Sequence, residues 1–181
     1  EQLTQFATES TQVRAQFNQS TGTMRRTTED RVAQLEQRKI RFLDSLKTAN
    51  PLLWRTACLQ LTPDYAGQGG AEAEFYGKEF FRWADLSDKA FEQIPEVYNA
   101  FESFIATQLQ RGVAHEKAIK LAEVHLAKIP SASATYRMAL GGVVAALKGN
   151  NSPQYPTMAK KYIDQYTSKN LGEIPAMEME L

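Results

Sequence analysis

Residues 113–129 read VAHEKAIKLAEVHLAKI, and the spacing of apolar side chains in this stretch decides the class of fold. The apolar positions recur every three or four residues, which is the repeat of one face of an α-helix. They are Val113, Ala118, Ile119, Ala122, Leu126 and Ile129. Gly112 precedes the stretch and Pro130 follows it, as expected at the two ends of a helix. The stretch therefore predicts one amphipathic helix with a buried apolar face.

The same periodicity occurs on both sides of residues 113–129. Further helices are predicted over residues 97–109, 136–147 and 158–166. Short turns join them, which favours antiparallel neighbours and predicts a helical bundle over residues 72–168. Gly141 and Gly142 lie inside one of these helices, where glycine disfavours helix formation. Close packing against another helix would offset that cost.

Residues 1–50 predict a long helix or a helical pair. Its apolar stripe consists of Leu3, Phe6, Val13, Phe17, Met24, Leu35, Phe42 and Leu46. Gly22 interrupts the stripe, and the mixed charges beside it, which include Glu36 and Lys39, are typical of a solvated face. Asn50 and Pro51 predict the end of this segment and the start of a short helix over residues 51–66, because Asn caps helices and Pro tolerates the first helical position.

Composition limits the classes of function. The 181 residues suffice for one helical domain, predicted over residues 1–170, and 21 basic residues balance 21 acidic ones, so no electrostatic attraction to nucleic acid or an anionic membrane is expected. The apolar runs are too short to span a bilayer, so we expect no direct membrane insertion by this segment. Cys58 is the single cysteine and cannot form a C-x-x-C pair. Its apolar surroundings predict a buried, inert thiol.

Potential metal and nucleotide sites are incomplete in this sequence. His115 and His125 are about 80 degrees apart on a straight helix and three turns distant, so they do not share a metal, and we expect surface or capping histidines. The glycines of 67–70 lack the Lys-Ser/Thr of a phosphate-binding loop and predict a flexible connector. We therefore expect neither a metal nor a cofactor, and we assign no catalytic residue.

Carboxylate pairs in the middle of the chain are better explained by helix starts than by acid-base chemistry. They are Glu72 with Glu74 and Asp85 with Asp88. Acidic side chains in a first turn interact favourably with the helix dipole.

The last residues change in character. Residues 171–181 read LGEIPAMEMEL, and 177–181 alternate apolar and charged residues with the period of a half-buried strand. We expect a short extended tail or linker here, or the first strand of a domain beyond Leu181.

This ending resembles the entry to the thioredoxin-like domain of TlpA-type and peroxiredoxin-related proteins, in which a Gly-x-x-Ala-Pro turn leads into the first strand. Ile174-Pro175 stands where that family has Ala-Pro. Residues 75–98, FYGKEFFRWADLSDKAFEQIPEVY, resemble the helical domain upstream of thioredoxin folds in Bacteroidetes envelope proteins.

The resemblance implies an exported parent thiol-disulfide oxidoreductase in the periplasm or cell envelope, often lipid-anchored, whose C-x-x-C would lie beyond Leu181. This chain would then be a noncatalytic accessory domain. Its partner would be the parent's own thioredoxin-like domain or another envelope protein.

Two other hypotheses remain open. One is a stand-alone scaffold or peptide-binding module. Under any of the hypotheses, the long first helix could also form a homodimer. The candidate partner-contact residues are Phe80, Phe81, Arg82, Trp83 and Tyr98. A helical enzyme would instead need a pocket formed by Glu79, Arg82, Asp85 and His115.

Overall fold

The computed structural model describes residues 1–68 and 70–166, whose regular elements are all helices, so the all-α prediction is confirmed. The helices are α1 (Gln2–Gln19), α2 (Gly22–Ala49), α3 (Pro51–Gln60), α4 (Glu72–Glu79), a 3-10 helix (Lys89–Gln93), α5 (Glu96–Gln110), α6 (His115–Leu126), α7 (Ala134–Gly149) and α8 (Tyr155–Tyr166). A first compact unit spans Glu1–Asp85, and a second begins at Leu86. The predicted tail and strand of residues 171–181 lie outside the described residues.

Hydropathy along the described helices stays below what a bilayer crossing requires: none of them is both long and apolar enough.

The amino-terminal segment is a helical pair, one of its two predicted forms. The rings of Phe6 on α1 and Phe42 on α2 lie 5.6 Å apart, and Arg38 donates two hydrogen bonds, of 2.5 and 3.0 Å, to Glu9. These contacts join early α1 to late α2, so the helices are antiparallel. Gly22 begins α2 with a φ of +57°, a conformation that glycine adopts without the steric cost of a side chain.

Asn50 and Pro51 form the predicted corner between α2 and α3. The Asn50 Oδ1 accepts a hydrogen bond of 3.0 Å from the backbone amide of Leu53, and Pro51 occupies the start of α3. The corner turns α3 back onto the hairpin. The core that results is a cluster of Phe6, Leu35, Leu43, Ala57, Cys58 and Leu61.

In the second unit, α5 and α7 pack closely through Gly142. A Cβ on Gly142 would collide with the carbonyl oxygen of Tyr98 and lie 3.0 Å from the amide nitrogen of Glu102. Gly141 faces the Tyr98 ring, and a Cβ there would lie 3.2 Å from it. The glycine pair therefore permits the close packing that the sequence predicted, because only glycine lets two helix backbones approach this far.

We expect Gly142→Ala to destabilise the second unit, although alanine favours helix more than glycine does. The new methyl group meets backbone atoms that cannot rotate away, and overpacking of this kind costs about 1–3 kcal/mol. Urea unfolding followed by far-UV circular dichroism measures the change. Gly149→Ala is the matched control on the same helix, because a Cβ at Gly149 finds no atom within 4 Å. Equal stabilities of the two variants would contradict this account of the α5–α7 contact.

Candidate functional site: a buried charge cluster beside the aromatic run

The aromatic run at residues 75–83 contributes mainly core. Phe75 and Tyr76 on α4 are buried, and the rings of Phe80 and Phe81 pack edge to face with centroids 5.0 Å apart. Phe80 and Phe81 are each 7% exposed. Their burial leaves little surface on these two candidate residues for a partner.

The other three partner-contact candidates keep more of their surface. Trp83 is half-buried and packs against the hydrophobic cluster of the first unit. The Arg82 side chain is 39% exposed and forms ion pairs with Glu79 at 2.9 Å and with Glu36 at 3.6 Å. Tyr98 is half-buried in the second unit, against Gly141. Contact of these residues with a partner stays a prediction.

Lys39 of α2 is buried, which corrects the expectation of a solvated charged face. Its side chain is 1% exposed, and its ammonium group donates hydrogen bonds to the Asp64 carboxylate at 2.6 Å and to the Thr62 carbonyl at 2.9 Å. The Trp83 ring lies 5.9 Å from the Lys39 Nζ. A buried ammonium needs such acceptors, because leaving water without them costs several kcal/mol.

Glu36 and Ser10 complete the charge cluster around Lys39. Glu36 lies one helical turn before Lys39 and approaches its Nζ at 3.4 Å, and it accepts a 3.0 Å hydrogen bond from the backbone amide of Asp64. The Ser10 hydroxyl of α1 donates to Asp64 at 3.2 Å. The cluster therefore ties the segment after α3 to both helices of the hairpin.

Sequence reasoning missed this cluster, although one signal for it was present. The buried positions of α2 are Thr28, Val32, Leu35, Lys39 and Leu43. Lys39 thus lies on the buried stripe, four residues from Leu35 and four from Leu43. A basic residue at a stripe position signals a buried cation in need of an acceptor, but the acceptor is 25 residues away along the chain.

Burial raises the pKa of the Glu36 carboxyl above its ordinary value of 4.5. Removing a carboxylate from water disfavours its charged form, and the nearby Asp64 adds repulsion, whereas Lys39 and the Asp64 amide oppose the rise. The raised pKa of Glu36 therefore results from its burial in the charge cluster. Lys39 and Asp64 are too buried for direct contact with a substrate, so we assign the cluster a structural role in stabilising the first unit.

Cys58 and the two histidines occupy different surroundings. Cys58 is 1% exposed, and burial raises the pKa of its thiol to about 11, partly opposed by Lys47 and Arg55. His125 is 2% exposed and packs edge to face on Phe104 at 5.2 Å, so its predicted surface position is wrong. It lies three residues after Ala122 on the buried stripe of α6. His115 is half-buried at the start of α6.

The residues of the enzyme hypothesis divide between the units. Glu79, Arg82 and Asp85 belong to the first, and His115 belongs to the second. Residues 1–68 and 70–166 contain no group of three or more His, Cys, Asp or Glu side chains that could hold a metal ion. Glu72 and Glu74 lie in the first turn of α4, as their proposed role at a helix start predicts.

Comparisons of the chain with protein-family models, curated proteins and solved structures found no match. The resemblance to proteins with thioredoxin-like domains therefore stays a prediction from the quoted residues.

We expect Lys39→Met to destabilise the first unit by about 3–5 kcal/mol, since the change leaves the Asp64 carboxylate buried without its cation. Tryptophan fluorescence during urea unfolding measures this unit, because Trp54 and Trp83, the two tryptophans of the chain, both lie in it. The matched control is Lys78→Met at an exposed position of α4, with an expected change within about 0.5 kcal/mol. A loss below about 1 kcal/mol in Lys39→Met would contradict the role of the cluster.

The raised pKa of Glu36 predicts a pH-dependent difference between the wild type and Glu36→Gln. The folded protein holds the Glu36 proton more tightly than the unfolded chain, so this group contributes stability below pH 4.5 that is lost as pH rises through the folded pKa. Glutamine retains an oxygen to accept the Asp64 amide. The stability of Glu36→Gln relative to wild type should therefore rise as the pH increases above 4.5.

Urea unfolding at a series of pH values, followed by tryptophan fluorescence, measures that difference. A difference that stays constant or falls with rising pH would show that burial does not control the Glu36 pKa.

Proposed function

We propose that this chain is a noncatalytic helical module of an exported thiol-disulfide oxidoreductase, and that it positions or docks the thioredoxin-like domain of that protein. The parent would work in the periplasm or cell envelope. The module would supply a rigid surface, and the thiol chemistry would belong to a domain encoded beyond Leu181.

The observation that carries this proposal is the state of Cys58. A thiol with a pKa of about 11 is protonated at neutral pH, and the thiolate is the form that attacks a disulfide. Its sulfur is also buried in the core cluster, out of reach of a protein disulfide. These surroundings favour a packing role for the chain's one cysteine.

The burial of apolar residues in the run 75–98 also supports the proposal. It contributes Phe75 and Tyr76 to the core of the first unit and Phe91, Ile94 and Val97 to the core of the second. The resemblance therefore concerns residues that determine a helical fold.

Insulin reduction by the chain of residues 1–181 tests the noncatalytic role. We expect no turnover above background, and the same result for Cys58→Ser. Turnover that Cys58→Ser abolishes would identify Cys58 as a reactive thiol and overturn the proposal.

The reading frame after Leu181 tests whether the parent protein carries a thioredoxin-like domain. A continuation with a C-x-x-C motif within roughly 50 residues is expected, since that motif lies early in a thioredoxin-like βαβ unit. A stop codon at this point, or a continuation without cysteines, would refute the proposal and favour a stand-alone scaffold or peptide-binding module.

A further inference from the structure

The corner between α2 and α3 exposes a run of apolar residues. Pro51, Leu52 and Leu53 are consecutive and all exposed, and the side chains of Leu52 and Leu53 are 62% and 41% exposed. Exposed runs of three apolar residues are unfavourable in a soluble domain unless they have a function. They lie in the first turn of α3, directly after the corner.

Two cations accompany this apolar run. The Lys47 Nζ lies 5.2 Å from the Trp54 ring, and the Arg55 guanidinium lies 5.4 Å from it. The Arg55 side chain also donates to the Pro51 carbonyl at 3.2 Å, which holds the guanidinium beside the run. Trp54 itself is half-buried against the hydrophobic cluster. Two cationic side chains therefore lie beside Trp54, next to the apolar run in the chain.

The charge near the corner differs from the balanced charge of the whole chain. Residues 40–63 contain three basic side chains, Arg41, Lys47 and Arg55, against the single acid Asp44, and residues 45–63 contain no Asp or Glu. Residues 40–63 therefore carry a net positive charge.

From these observations we propose that the corner of Lys47, Pro51–Leu53, Trp54 and Arg55 binds the surface of an anionic lipid bilayer. Leucines and a tryptophan with flanking Lys and Arg are the side chains that favour the boundary between headgroups and acyl chains. A stable protein interface uses about 20–30 residues on each side. A corner of a few residues suits shallow contact with a bilayer better.

This contact differs from insertion across a membrane. The two leucines and the edge of the indole would enter the headgroup region, while Lys47 approaches lipid phosphates. The helices keep their backbone hydrogen bonds, so the fold need not change. The inference does not rest on the proposed redox partner.

Flotation of the chain of residues 1–181 with vesicles tests this proposal. The probes are vesicles of phosphatidylcholine alone and of phosphatidylcholine mixed with phosphatidylglycerol. We expect stronger binding to the mixed vesicles, and a decrease when the NaCl concentration is raised, because salt screens the cations. Lys47→Gln should weaken binding to the mixed vesicles about fivefold, the contribution of one cation near an anionic surface.

Leu52→Ser combined with Leu53→Ser tests the apolar contact. These side chains are exposed, so circular dichroism should show an unchanged fold, while the partition coefficient should fall by at least about tenfold. Met24→Ser is the matched control, since Met24 is 68% exposed on the same unit and lies at the other end of α2. Its binding should equal that of the wild type.

Two results would overturn the proposal. One is equal binding of the wild type and the double serine variant. The other is no binding of the wild type to either kind of vesicle, in which case an acidic protein surface would be the occupant to seek.

Discussion

The ammonium group of Lys39 imposes the constraint on which the first unit depends. It is buried in the hairpin of α1 and α2, where water cannot solvate it. Asp64 and the Thr62 carbonyl supply the acceptors, and both belong to the segment that follows α3. The chain after α3 must therefore return to α2. An apolar side chain at position 39 would need no acceptor from residues 62–64, whereas the buried ammonium does.

The second unit achieves specificity by steric means. Gly142 leaves room for the backbone of α5 at Tyr98 and Glu102, and any side chain at this position would fill that room. The contact restricts where α5 can pack on α7, because the backbones approach this closely at Gly142. An ion pair and an absent side chain thus have equivalent roles in the two units. Each restricts how its neighbours can be arranged.

These two constraints differ in how far they could be predicted. Gly141 and Gly142 stand out in a helical sequence, since glycine disfavours helix formation unless another interaction offsets the cost. The structure confirms that close packing against α5 is that interaction. Lys39 and His125 follow the same helical period as their apolar neighbours, but their residue types suggested exposure. Burial of a polar side chain depends on a partner elsewhere in the chain. Helical periodicity predicts which face of its own helix a residue occupies. It does not identify a hydrogen-bond acceptor elsewhere in the chain.

Glu36 shows why a shifted pKa must be weighed together with exposure before it is taken to mark a functional site. Its raised pKa arises from burial, and the Lys39 and Asp64 groups beside it are closed to solvent. Structural ion pairs perturb pKa values as catalytic sites do. The corner at Pro51–Leu53 has the opposite character, because it exposes apolar surface beside two cations. Binding requires accessible surface. In the first unit, the charge cluster therefore accounts for the fold, and the apolar corner is where contact with another molecule is physically favoured.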